Sequence, residues 1–267
     1  MNLDLFDKRA LLFLPASNPR AIARARDSNA DLVILDLEDA VKPADKASAR
    51  DAAIAAVAET WPMPVAIRIN GCASEWHAAD LQAVASSRAD VVVVPRVASA
   101  SEIERVAAAV SRPVAAMIET AAGVIAAPEA ARVAAALIAG TNDLSADLKL
   151  PPGAGRMPLQ AALQLILIAA RAAGVAAFDG VFNRLDDPAG LAAECAESRR
   201  LGFDGKSLIH PDQIAACYAA FAPSADEIAR AERLVAASTG GAERFEGAMI
   251  EAMHVASARR LIERAHR

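Results

Sequence analysis

A repeating alternation of apolar strands and alanine-rich helices constrains this chain more than any single residue. Runs rich in Val, Ile and Leu recur near 10–15, 32–38, 64–70, 90–95, 113–119, 136–142, 176–182 and 204–210. Segments with helical spacing fill the intervals at 18–29, 45–60, 75–87, 99–110, 122–135, 156–173 and 187–201, and an eighth follows at 211–221. Buried parallel strands read as unbroken hydrophobic runs, and a strand-helix unit repeated eight times is the pattern of an α/β (β/α)8 barrel. An open doubly wound sheet has the same local pattern. Eight strands, with no GxGxxG turn after the first, favour the barrel.

Helix punctuation sets the phase. Ser99 and Ser101 precede Glu102 and Glu104, Asp186 and Asp187 precede Pro188, and Gly174 and Gly202 stand where two helices should stop. The predicted organisation is a catalytic barrel over 1–222 and a C-terminal helical extension over 223–267. Within the extension, Ser224 with Glu227 has capping-box spacing and predicts a helix over 224–238. Thr239-Gly240-Gly241 reads as a hinge before a last helical segment at 246–265, which either packs on its own barrel or reaches a neighbour.

Composition removes several function classes. A chain of 267 residues that is 55% hydrophobic, with mean hydropathy +0.26, can bury one large core. A net charge of −5 and a pI near 5.5 lack the basic surface that a phosphate backbone demands, so no nucleic-acid partner is expected. Cys72, Cys195 and Cys217 are odd in number and widely spaced, which predicts reduced packing residues rather than disulfides or a zinc site. The charged N-terminus has no signal-peptide pattern, and Gln160, Gln164 and Arg171 interrupt the longest apolar stretch. A soluble cytoplasmic protein without a membrane partner is the expectation.

Charged strings at the strand ends carry the chemistry: Leu35-Asp36-Leu37-Glu38-Asp39, Arg68-Ile69-Asn70, Val94-Pro95-Arg96, Met117-Ile118-Glu119-Thr120 and Gly140-Thr141-Asn142-Asp143. In a barrel they converge on one mouth. Glu119 and Asp143 would end adjacent strands, and two carboxylates leave the open positions that octahedral Mg2+ fills with waters and substrate oxygens. Alternatively each caps the helix that follows it. Arg68 suits bidentate binding of a carboxylate, or an ion pair with Asp36 or Glu38, and both roles can hold together. Three acids within Asp36, Glu38 and Asp39 need compensation; one is a candidate base and the others candidate supports for Arg68. Lys206 raises a rival, Schiff-base chemistry from the last strand. His210 before Pro211 reads as a structural strand end.

These residues, in this order, resemble the HpcH/HpaI aldolase and citrate lyase β-subunit family, related to malyl-CoA and citramalyl-CoA lyases. The resemblance runs from Arg9-Ala10-Leu11-Leu12-Phe13-Leu14-Pro15 through Leu37-Glu38-Asp39-Ala40-Val41, Arg68-Ile69-Asn70, Ile118-Glu119-Thr120, Asp143-Leu144 and Gly202-Phe203-Asp204-Gly205-Lys206 to Ile209-His210-Pro211. It implies a carbon–carbon lyase joining or separating a 2-oxo acid and an acyl-CoA thioester. By the same resemblance Glu119 and Asp143 hold Mg2+, Arg68 binds the acid, and Gly140, Thr141 and Asn142 help seat it. Phe245-Glu246-Gly247-Ala248-Met249-Ile250-Glu251 is similar to the lid of those lyases. There an aspartate stands in the place of Glu251, which implies an acid/base delivered to the next subunit of a homotrimer or hexamer. Ala16, Arg96 and Lys149 depart from the family's usual glycine, lysine and glycine. Two other readings are a malyl-CoA-type thioesterase and a non-turnover acid-binding subunit of a larger complex with an acyl-carrier partner.

Overall fold

The computed structural model describes residues 3–265, which divide into two compact units, one up to Ala220 and one from Phe221. The first is a closed barrel of eight parallel strands. They are β1 (Ala10–Pro15), β2 (Leu32–Asp36), β3 (Val65–Arg68), β4 (Val91–Val94), β5 (Val114–Ile118), β6 (Ala136–Ala139), β7 (Ala176–Asp179) and β8 (Gly205–Leu208). The eight apolar runs are therefore the eight strands, in the expected order. A helix follows each strand, and one more short helix, Thr141–Asp147, sits between β6 and the helix Gln160–Ala173.

Inward side chains fill the barrel: Leu11, Phe13, Ile34, Val93, Met117 and Phe178 belong to one buried cluster. Outward ones such as Leu12, Val33, Leu35 and Val92 are equally buried. Both faces are thus apolar, which is why the strands read as unbroken runs. Closure depends on Gly205. β8 meets β1 in the register Ala10↔Lys206 and Leu11↔Ser207, and the Lys206 N–H donates to the Arg9 carbonyl over 2.7 Å. A Cβ at position 205 would stand 2.4 Å from that carbonyl oxygen.

The anticipated caps form. Glu102 accepts the Ser99 N–H over 3.1 Å, Asp187 accepts the Gly190 N–H over 2.9 Å ahead of a helix with Pro188 in its first turn, and Gly174 and Gly202 take φ of 70° and 110° at helix ends. The cysteines are free; Cys195 and Cys217 are buried and Cys72 is half-buried. Several strands end earlier than the hydrophobicity suggested. β6 stops at Ala139, so Thr141, Asn142 and Asp143 form the first turn of the short helix instead of a strand end.

The second unit corrects the sequence reading of the tail. The helix Ala225–Ala237 starts as expected, with the Ser224–Glu227 capping box. The segment from 246 is not helical at its start: β9 (Glu243–Phe245) and β10 (Ala248–Ile250) form an antiparallel hairpin, followed by the helix Ala252–Ala265. Glu246 and Gly247 make the two-residue turn with φ of 45° and 86°, the left-handed pair that a tight hairpin needs. The glycine break is also braced. The Glu243 carboxylate accepts N–H bonds from Thr239, Gly240 and Gly241 at 2.8, 3.0 and 3.2 Å. Ala231, Leu234, Ile250 and Ala258 are the core of this unit.

Candidate active site

The site is built around one buried cation. Arg68, the last residue of β3, faces Asp36, the last of β2, in direct register. Its Nε and Nη2 donate to Asp36 Oδ1 and Oδ2, both over 2.6 Å. Nη1 lies 3.0 Å from Glu38 Oε2 and 3.7 Å from the Met117 sulfur, and the guanidinium sits 5.5 Å from the Phe13 ring centre. The ion pair allowed by the sequence is formed. It also limits what Arg68 can offer: the Nε and Nη2 edge belongs to Asp36, which leaves only the remaining N–H groups of Nη1 and Nη2 for a bound acid. Asp36 also accepts the backbone N–H groups of Glu38 and Ala40 at 2.9 and 3.0 Å, fixing the turn after β2.

That turn is held from beneath by a residue the sequence reading missed. Lys46 Nζ donates to the carbonyls of Leu37 and Glu38 and to Asn70 Oδ1, each over 2.7 Å. Asp80 in turn accepts the Asn70 backbone and side-chain N–H groups at 2.9 and 2.6 Å. Lys46 opens an alanine-rich helix and Asp80 lies inside another, so no local pattern distinguishes them from surface charges.

Glu119 follows β5 directly and is 1% exposed. Oε1 accepts the Arg96 backbone N–H over 2.7 Å; Arg96 takes φ of 52°, a left-handed turn unusual for a residue with a side chain. On the other side, a Cβ at Gly140 would lie 2.2 Å from Glu119 Oε2. The glycine expected to seat the acid through its backbone is therefore what gives the Glu119 carboxyl room. A second glycine repeats the device: a Cβ at Gly180, after β7, would lie 2.3 Å from Thr141 Oγ1. Asn142 is held by Asn183, which donates to its Oδ1 over 2.7 Å.

Asp36, Asp39, Arg68, Glu119, Gly140, Thr141, Asn142 and Asp143 all line one cavity of about 360 Å3. The sequence-predicted barrel residues are thus brought together, apart from Glu38, which lies in the wall behind Arg68 and lines the adjoining cavity with Asp39. Phe13, Met117, Val181, Asn183 and Ser207 also line the first cavity and were missed. Inward alternation from Phe13 and Met117 was the available signal. Glu251 belongs to the second unit, where its carbonyl accepts the His254 N–H at the start of the last helix.

Lys206 is not a free nucleophile. It is fully buried outside the barrel wall, with Nζ donating to Glu194 at 2.7 Å, the Gly180 carbonyl at 2.6 Å and Asp179 at 3.1 Å. Burial opposes its charge, but Asp179 and Glu194 outweigh that and hold it above the ordinary lysine range. The Schiff-base rival needs the opposite.

Negative charge exceeds positive charge at this mouth. Burial, against the pull of Arg68, pushes the Glu38 carboxyl up to about 8. Burial likewise takes Glu119 to about 7 despite Arg68 and the Arg96 N–H, with Asp143 and Asp39 adding to the rise. Asp39 is raised too, chiefly by burial. Among the described residues no group of three or more His, Cys, Asp or Glu is arranged to hold a metal. A two-carboxylate pair, Glu119 with the half-exposed Asp143, is what Mg2+ needs, because that ion retains several waters and binds through one or two carboxylates.

A closed parallel barrel with two acids and a fixed guanidinium at its C-terminal mouth has the layout of a barrel enzyme's active site. The chain belongs to the HpcH/HpaI aldolase/citrate lyase family, whose model matches residues 9–211. A second model, a carbon–carbon bond lyase of the TIM-barrel fold, matches residues 157–267. The chain is 40% identical to the (3S)-malyl-CoA thioesterase of Cereibacter sphaeroides, over 96% of this chain and 94% of the relative. It is 33% identical to citrate lyase subunit beta of Leuconostoc mesenteroides subsp. cremoris, over 97% and 93%. Among solved structures, the protein CitE of Mycobacterium tuberculosis in complex with magnesium, acetoacetate and coenzyme A superposes with a TM-score of 0.89 at 34% identity, covering 98% of this chain and all of that one.

The Glu38 shift has a measurable consequence. Its pKa of about 8 in the fold lies above the ordinary 4.5, so the folded protein keeps a proton that the unfolded chain has released. The stability this contributes is complete below the unfolded value and is lost as pH rises through the folded one. Glu38→Gln removes that loss. In urea unfolding its advantage over the native protein should be small near pH 5 and grow to on the order of 4 kcal/mol near pH 9. A difference that does not vary with pH would contradict the assignment.

Proposed function

We propose that this protein is a Mg2+-dependent carbon–carbon lyase that cleaves or forms a 3-hydroxyacyl-CoA from a 2-oxo acid and an acyl thioester. The observation that carries this reading is the convergence of Glu119, Asp143 and the buried Arg68 on one cavity. Glu119 and Asp143 are the residues that would hold the ion, which when bound supplies positive charge to the acid's oxygen. Arg68, fixed by Asp36, supplies a second positive charge that cannot be titrated away. Gly140, Thr141 and Asn142 wall the place of the acid. In the cleavage direction a proton leaves the 3-hydroxyl, the adjacent carbon–carbon bond breaks to give the 2-oxo acid, and the electron pair passes to the thioester as an enolate. Its α-carbon then takes a proton, which we assign to Glu251.

Two other readings have support. The 40% identity to a (3S)-malyl-CoA thioesterase favours hydrolysis of a thioester in the same site. The likeness to a citrate lyase β subunit favours a subunit that acts with an acyl-carrier partner. Malyl-, citramalyl- and citryl-CoA assayed with Mg2+ separate them. A lyase releases 2-oxo acid without free thiol. Free thiol together with the intact hydroxy acid would replace the lyase by a thioesterase, and no turnover of any of the three would favour the subunit. In the same assay Glu119→Gln and Asp143→Asn should each lose Mg2+-dependent activity and binding of oxaloacetate or pyruvate, yet remain folded. Full activity in EDTA, or borohydride trapping of pyruvate on Lys206, would overturn the metal site.

The tail enters as a shared element. No helix among the described residues is long and apolar enough to cross a membrane, and we place the protein in the cytoplasm as a homotrimer or hexamer whose Glu251 serves a neighbouring barrel. Mixing inactive Arg68→Ala and Glu251→Ala proteins, after dissociation and reassembly, should then restore a fraction of native turnover. A monomer at working concentration, or undiminished turnover in Glu251→Ala, would leave the tail with a packing role only.

A further inference from the structure

Ser207 is the exception in the barrel interior. β8 alternates, so Lys206 points outward to Glu194 while Ser207 points inward and lines the acid cavity. It is 1% exposed, and its Oγ has no hydrogen-bond partner among the described residues. Two other polar side chains of the inner wall, Asp36 and Arg68, satisfy each other. A serine on a helix can turn its hydroxyl back onto a carbonyl of the preceding turn, but a strand offers no such acceptor. The register partner on β1 is Leu11, with Phe13 in the next inward layer. Neither carries an acceptor. A buried hydroxyl left without a partner lowers stability, and an alanine would fill the same place without that cost.

We propose that Ser207 is a substrate-binding residue, its hydroxyl donating to an oxygen of the small acid in the cavity. The inference rests on the acid-binding function proposed above and adds to it a contact from the wall formed by β8 and β1. The proposed ion ligands Glu119 and Asp143 follow the ends of β5 and β6, so the acid would be held from two sides of the barrel mouth. The hydroxyl then exchanges folding stability for ligand affinity, as residues of functional sites commonly do.

Ser207→Ala tests this with two readouts that move in opposite directions. Oxaloacetate binding in the presence of Mg2+, measured by calorimetry, should weaken about tenfold, the effect of one hydrogen bond to a charged group. Mg2+ binding without the acid should be unchanged, and the ligand-free melting midpoint should equal or exceed the native value. Unchanged oxaloacetate affinity would overturn the inference, as would a lowered midpoint, which would make the hydroxyl a structural group. If the native protein itself binds neither oxaloacetate nor pyruvate with Mg2+, the proposed function falls and Ser207 falls with it.

Discussion

The mouth of the barrel depends on Arg68. A guanidinium placed at the last position of a buried strand is tolerable only because Asp36 takes two of its nitrogens at 2.6 Å and Glu38 lies 3.0 Å from the third. The same pair aligns the ends of β2 and β3 and fixes the turn that carries Glu38 and Asp39. Removing the arginine would leave Asp36 without its two-nitrogen partner and, among the described residues, only Lys46, which is bound to the Leu37 and Glu38 carbonyls, as a buried cation nearby, so structure and chemistry draw on one residue. Arg68, the buried Lys46 and the more exposed Arg96, 3.9 Å from Asp143, do not balance Asp36, Glu38, Asp39, Glu119 and Asp143. The fold resolves the excess by retaining protons, with Glu38 near 8 and Glu119 near 7. On the proposed function a divalent cation would resolve it differently, with Glu119 and Asp143 as its seat.

Space for that pair is made by missing side chains. Gly140 admits the Glu119 carboxyl and Gly180 admits the Thr141 hydroxyl, each where a methyl group would come within 2.3 Å of an oxygen. The Arg96 turn completes the setting by pointing an N–H at Glu119 Oε1. Strand ends β5, β6 and β7 are thereby locked in sequence, each by the residue that follows its neighbour. Such precision in a loop region is what a site working on a small acid requires, since misplacement of a reacting group by an ångström is costly in rate.

Much of this was legible in the sequence. The eight strands announce themselves because both barrel faces are apolar, and the acids and Arg68 stand out because they interrupt those runs. Strand ends were overestimated because hydrophobicity does not register where ladder bonding stops; the run through 142 continues past β6 into a helix. The room Gly140 gives the Glu119 carboxyl was not foreseen, since it is a contact between neighbouring strand ends that sequence spacing cannot show. Lys46, Asp80 and Asn183 were missed because a charge or amide in a helix or loop looks solvated until its partner is placed. The hairpin at Glu243–Ile250 was overlooked because its strands are three residues each, too short for alternation to be distinguished from a helical start.

The central question is whether the charge excess at the mouth is a cation site. Crystals grown with Mn2+ in place of Mg2+, together with oxaloacetate, would locate the ion by its anomalous signal. One peak bridged by Glu119 and Asp143, with the acid beside it and Arg68 still joined to Asp36, is the predicted result. Anomalous density elsewhere in the barrel, or an acid bound in the cavity without any ion between those two carboxylates, would contradict it.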